Sequence, residues 1–459
     1  MPARPARRVP SVALALLALV APACSHGNGG AGATTEPAAA RTRPATVLTA
    51  RDLALPLAAA LKAHDRAAFL AFAAGSAQPA MANWWDNLDA IGFDTGAVSG
   101  PTGDGSATQL DEHGRGTVTF EIGVHSPLDP TRRAGDPDRI PRASVPSTRY
   151  DLDVHLATVG GDATITSWRP HDVVAPWDGP KLYVRKDRNV VVAGLESDAA
   201  RVDAVVTDAQ AAAAWTLDFF HTRFEPLVRQ AGFLVFVTTD PATSAGWFSK
   251  PADLKGWFGD RAAAAFPLIG QAGPNPRGGG APIGGARVVV PGTPSGDGLR
   301  ATLVHEFTHV LYAPDGRWHS PAGSTVPAWV PEGAARLVEA TYVAHNPDAY
   351  YDTTAIRAQI QQCAQEGLIH QVPPTDAEVY GGTDRQSECA YDVSAALLAS
   401  LGRTVDANNL WQSIQLAAAH DSLPWAYVVE STQGAAVHYH AAGEMQLLAL
   451  QNFHTFYGV

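Results

Sequence analysis

The chain has 459 residues, of which 46% are hydrophobic and 17% charged, a balance that fits two or three globular domains and excludes a disordered tail. Its formal net charge of -12 argues against nucleic acid or anionic lipid as a partner.

The opening "MPARPARRVPSVALALLALVAPAC" has a basic start (Arg4, Arg7, Arg8), an apolar run from Val12 to Val20, and small residues leading to Ala23 and Cys24. Residues 1–23 read as a secretory signal. The apolar run falls short of the ~20 residues a permanent membrane helix needs, and no later segment is long and apolar enough. Cys24 stands where the lipobox of bacterial lipoproteins carries its acylated cysteine, although Ala21 and Pro22 depart from that pattern. A plain signal-peptidase cut after Ala23 stays open. The expected protein is therefore exported by a bacterium and either lipid-anchored to the cell membrane through Cys24 or secreted, with the membrane a partner only through that anchor. Losing the three leader arginines would take the net charge from -12 to about -15.

Residues 25–45, rich in Gly, Ala, Thr and Pro, have no apolar period, and the segment 24–45 is expected to be a flexible tether. From Thr49, a candidate N-cap, the sequence predicts two short helices broken near His64 and Asp65. Three stretches of period-two alternation follow: Val118 to Val124, Tyr150 to Leu156, and residues 163–168. Residues 46–180 thus read as a small α+β accessory domain, and helices before an antiparallel meander are similar to the NTF2-like superfold. The Pro/Asp/Arg-rich segment 126–146 reads as a long loop.

A second domain, 181–459, is predicted to hold the strand "NVVVAG", a long helix from about Asp198 to Phe224, the strand "FLVFVTT", a Gly/Pro-rich stretch at 270–286 and the strand "ARVVV". The next helix carries "LVHEFTHVLY", residues 303–312. Helical spacing puts His305 and His309 on one face, one turn apart, so that both imidazoles reach one ion, with Glu306 beside them. Zinc in such a site takes nitrogen ligands and keeps one position open for water, whose proton a neighbouring carboxylate can accept. The apolar flanks Leu303, Val304, Phe307, Val310 and Leu311 make the helix a core helix, where histidines and a carboxylate are costly without a partner. A third ligand is needed, and Glu332 at the start of the next predicted helix, "PAWVPEGAARLVEA", is the candidate.

His305-Glu306-x-x-His309 followed by Trp329-x-x-Glu332-Gly333 resembles the gluzincin (thermolysin-like) metallopeptidases, and among them the bacterial peptidase MA-like group, over residues of about 189–450. The resemblance implies a zinc ion held by His305, His309 and Glu332, with Glu306 as general base and then acid. It also extends to "CAYDVSAALLASLG", where Tyr391 holds the place of the family's oxyanion-stabilising tyrosine. Tyr380 is the alternative donor, and core packing is the bland reading of either. Glu339 lies further along the Glu332 helix and suits either a partner of the site or a solvated face.

Once Cys24 is set aside, Cys363 and Cys389 form a natural disulfide pair, with two free thiols as the alternative. A bridge there would pin the chain two residues before Tyr391. The related aminopeptidases have an amine-binding glutamate in the strand region before the zinc helix, whereas "GGAPIGGARVVV" has no acidic residue, which disfavours an exopeptidase. The strand from Arg287 to Val290 is instead expected to pair with an extended substrate. His438 and His440 read as structural, as do Trp84 and Trp85, and nothing selects His319, His345 or His370.

The sequence therefore suggests an α+β chain whose second domain is a zinc endopeptidase, monomeric, acting on a peptide or protein. The rival readings are a catalytically silent surface-binding lipoprotein and a zinc amidase acting on a cell-wall polymer.

Overall fold

The computed structural model describes residues 50–459 apart from 101–109, 112, 131–145, 157–162, 172, 224–229, 249–262, 270–282, 293–294, 313–325, 346–353, 404–409, 412, 415–422 and 425–437. The leader, Cys24 and the tether lie outside the described residues, as do most of the Pro/Asp/Arg-rich segment and His319.

Helices α1 (Ala50–Lys62), α2 (Arg66–Leu70) and α3 (Ala77–Ile91) come first. The break between α1 and α2 falls where the sequence places it: His64 takes a positive φ, and the Asp65 carboxylate caps α2 by accepting from the Ala68 N–H at 3.0 Å. Four antiparallel strands follow in the order β1 (Thr95–Ser99), β2 (Arg115–His125), β3 (Ser147–His155) and β4 (Thr164–Pro170). Both α3 and β1 escape the sequence reading. Trp84 and Trp85 on α3 are buried core residues, and the Trp84 indole N–H donates to the Tyr150 hydroxyl at 2.9 Å.

The second sheet has the order β5 (Leu182–Asp187), β6 (Val190–Leu195), β7 (Phe233–Thr238), β9 (Ile283–Pro291), β8 (Ala264–Ile269). Its three central strands run parallel, with antiparallel β5 and β8 outside them. Strand alternation sends Val190, Val192, Phe233, Val235, Val288 and Val290 into one core and Val191, Ala193, Leu234, Phe236 and Val289 into another. Cover on both faces explains why β6, β7 and β9 read as nearly unbroken apolar runs. The first core is closed by α4 (Ala199–Arg223) and α6 (Gly296–Tyr312). The second is shared with α1 to α3 and the four-stranded sheet, so packing is continuous across the change of sheet between Pro170 and Leu182. Residues from Pro44 to Val459 form one compact unit of mixed helix and sheet.

After α6 the elements among the described residues are helices: α7 (Trp329–Val343), α8 (Thr354–Gln365), α9 (Asp376–Tyr380), α10 (Asp384–Gly402) and α11 (His438–Tyr457), with the short α5 (Pro241–Gly246) earlier between β7 and β8. The Cys363–Cys389 disulfide joins α8 to α10 with their Cα atoms 5.8 Å apart. No helix among the described residues is long and apolar enough to cross a membrane.

One expectation needs correction. Strand β9 lies inside the sheet, between β7 and β8, so its backbone groups are already paired and it is not free to bind an extended substrate. Arg287 on it is 2% exposed and forks onto Asp129, which is fully buried, at 2.5 and 3.0 Å. Asp129 belongs to the segment read as a loop, and the described residues 126–130 do form turns, within which Ser126 and Asp129 are buried. Three charged residues in seven at 131–137 gave that stretch its loop-like composition and hid the one aspartate that pairs across 158 residues.

Removing one partner of so buried a pair strands the other charge, at a cost of ~3–5 kcal/mol. Arg287→Met and Asp129→Leu should each lower unfolding free energy by that order in urea titrations, and the double replacement should lower it much less.

Candidate metal centre

The α6 helix is fixed before it reaches the site. Asp208 on α4 accepts from the Gly296 N–H at 3.1 Å and from Arg300 Nε at 2.7 Å, which caps the helix start. Phe307 stacks on Phe233 of β7 with centroids 3.9 Å apart, and Leu303, Val304 and Val310 share that core. Another face presents His305 and His309, both buried, to Glu332 of α7, and Glu306, next in sequence to His305, is buried as well.

The next helix brings Glu332. Its start is capped by Asp376 of α9, which accepts from the Ala328 N–H at 2.7 Å. Gly333 has a reason in packing: a Cβ there would lie 2.7 Å from the Ser394 carbonyl carbon of α10. Only glycine lets α7 and α10 cross so closely, and that crossing seats Glu332 beside the histidines.

His305 Nε2, His309 Nε2 and Glu332 Oε2 form a nearly equilateral triangle with edges of 3.1, 3.2 and 3.3 Å. A tetrahedral ion with ligand bonds of about 2.0 Å has corners about 3.3 Å apart. The donor set therefore matches one face of such a tetrahedron in both chemistry and size. It is also the one group of three or more His, Cys, Asp or Glu side chains among the described residues that can hold a metal ion. The structure thus brings together His305, His309 and Glu332 in a buried group able to bind a metal, with Glu306 next in sequence to His305 and 7% exposed.

Further polar contacts surround the triangle. His305 Nδ1 donates to Glu339 Oε2 at 3.1 Å, so Glu339 faces the site rather than solvent. The Tyr380 hydroxyl donates at 2.9 Å to Glu332 Oε1, the oxygen outside the triangle. The Tyr391 ring lies 6.0 Å from that of His305. Arg336 and Asp392, neither singled out by the sequence, extend the group: Arg336 donates to Glu339 Oε1 at 2.7 Å and to Asp392 Oδ1 at 2.9 Å. The available signal was a charged stripe, Glu332, Arg336 and Glu339, at helical spacing on an otherwise apolar helix. His370 bonds Glu378, His345 follows the end of α7 and packs against Tyr342, and 438–440 are helical rather than on a strand.

Burial works against charge on His305, but hydrogen bonds to Glu332 and Glu339 and the nearby Glu306 outweigh it and raise its pKa to about 10. Burial likewise opposes charge on Glu332, yet the facing imidazoles hold it well below the usual carboxylate range. Without a cation, then, the site keeps a positive charge as a proton.

Two predictions follow from this geometry. Gly333→Ala must push α10 aside, and its overpacking should cost ~1–3 kcal/mol in denaturant unfolding. In chelator-treated protein, the stabilisation from protonated His305 is complete below its ordinary value of about 6.5 and lost as pH rises through about 10. Urea midpoints should therefore fall between pH 6.5 and 10 more steeply than in His305→Gln.

No protein-family model matches the chain, and no curated protein matches it significantly.

Proposed function

We propose that the chain is an exported zinc metallopeptidase of gluzincin type, formed by residues 181–459, with 46–180 as an accessory domain of NTF2-like kind. The observation that carries this reading is the buried triangle of His305, His309 and Glu332 with Glu306 on the same helix turn. Supporting it are the order of mixed sheet, α6 and α7, and the resemblance of Trp329-x-x-Glu332-Gly333 to that family's second zinc motif. Residues 1–23 would direct export, Cys24 would anchor the chain by lipid, and 24–45 would be the tether.

His305, His309 and Glu332 would hold the zinc. When bound, the ion supplies a Lewis acid that acidifies a water and polarises the scissile carbonyl. Glu306 accepts the proton of the attacking water and passes it to the departing amine. Glu339 holds the Nδ1 proton of His305 and so fixes the tautomer that leaves Nε2 as a donor of electrons. Tyr391, whose ring lies 6.0 Å from that of His305 and which holds the place of the family's oxyanion tyrosine, would donate to the developing oxyanion, a contribution of ~3 kcal/mol, with Tyr380, which donates to Glu332, as the alternative. With β9 paired on both sides, the outer edge of β8, where no strand pairs among the described residues, is the place for an extended peptide to add. The substrate is a peptide or protein and the working form a monomer.

Metal analysis of the purified chain and of Glu306→Gln, with both presented to a mixed peptide library, tests this reading. The expected result is about one zinc per chain in each and cleavage lost by a factor of at least ~10² in the variant. Zinc without cleavage in either protein would favour a silent binding protein, or an amidase if cell-wall fragments are cut instead.

A further inference from the structure

Glu339 can keep His305 oriented only if its own carboxylate is held, and both of its oxygens are committed. Oε2 accepts from His305 Nδ1 at 3.1 Å and Oε1 accepts from Arg336 Nη1 at 2.7 Å. The Arg336 guanidinium is fixed in turn, because its Nε donates to Asp392 Oδ1 at 2.9 Å. Asp392 is 2% exposed and follows Tyr391 in α10, while Cys389 two residues before Tyr391 ties that helix to α8. A single line of contacts therefore runs from α10 through Arg336 and Glu339 to a ligand histidine on α6. Glu332, Arg336 and Glu339 lie at i, i+4 and i+7 on α7, so the ligand and its two supporting charges share one stripe of that helix.

We propose that Arg336 and Asp392 are positioning residues that set the orientation of His305, and with it the affinity and geometry of the metal site. The inference rests on the metal-site reading above. Arginine suits the task because its planar fork serves two carboxylates at fixed angles, which the point charge of lysine does not. Asp392 serves α10 as well as Arg336: the register of that helix, and so the place of Tyr391, is passed to His305 through the same contacts.

Cobalt(II) titration of the purified protein tests it, with visible absorption reporting geometry and competition with a chromophoric chelator reporting affinity. The unmutated protein should take up one cobalt ion with four-coordinate bands. Arg336→Lys and Asp392→Asn should each weaken cobalt binding by ~10 to 100-fold and shift the bands. Arg385→Lys, on the same helix as Asp392 but paired with Glu366 at the end of α8, should change neither. Circular dichroism checks folding, and Asp392→Asn, nearly isosteric, carries the comparison should Arg336→Lys fail to fold. Bands and affinity in Asp392→Asn equal to those of the unmutated protein would overturn the inference while leaving the metal site standing. Absence of cobalt uptake in the unmutated protein would overturn both.

Discussion

Three lone-pair donors held 3.1–3.3 Å apart in a protein core repel one another unless a positive charge sits among them. Much of the helical half of the molecule keeps them there. Asp208 caps the start of α6, Phe307 locks it onto the sheet, and Gly333 lets α7 press on α10 closely enough to aim Glu332. The disulfide then ties α10 to α8. Each feature removes a freedom that would let the donors separate, and a separation of even 1 Å would relieve the charge that the site is built to demand.

The five-stranded sheet couples that helical half to the N-terminal unit. Its central strands are buried on both faces, so neither half has a complete core without the other. The Arg287–Asp129 pair adds directionality to what is otherwise apolar packing, since a buried ion pair tolerates little sliding. Loss of the N-terminal unit would expose Val191, Leu234, Phe236 and Val289 together.

Much of this was legible in the sequence because it has a period. The 3.6-residue repeat around "HEFTH" fixed the faces of α6, and the alternation at 118–124 and 150–156 marked β2 and β3. Short elements with mixed composition were not legible: β1 is a half-buried five-residue strand, and β8 and β5 are edges with weaker patterns. The place of β9 inside the sheet depends on β8 folding back beside it, which no local pattern announces. Partners distant in sequence were equally hidden: Asp129 with Arg287, and Asp392 with Arg336, meet only through the tertiary fold. Glu339 was visible as a candidate, but the choice between solvent and His305 turns on how α7 rolls against α6, and that roll is set by Gly333 at the crossing with α10.

X-ray absorption at the zinc edge of the zinc-loaded protein tests the central claim most directly, because it counts and identifies the ligands without relying on turnover. The account predicts a four-coordinate ion with nitrogen and oxygen neighbours at about 2.0 Å and the outer-shell signature of two imidazoles. A spectrum with sulfur ligands, with six oxygen neighbours and no imidazole, or with the two imidazoles retained in the His305→Ala, His309→Ala double variant would contradict it.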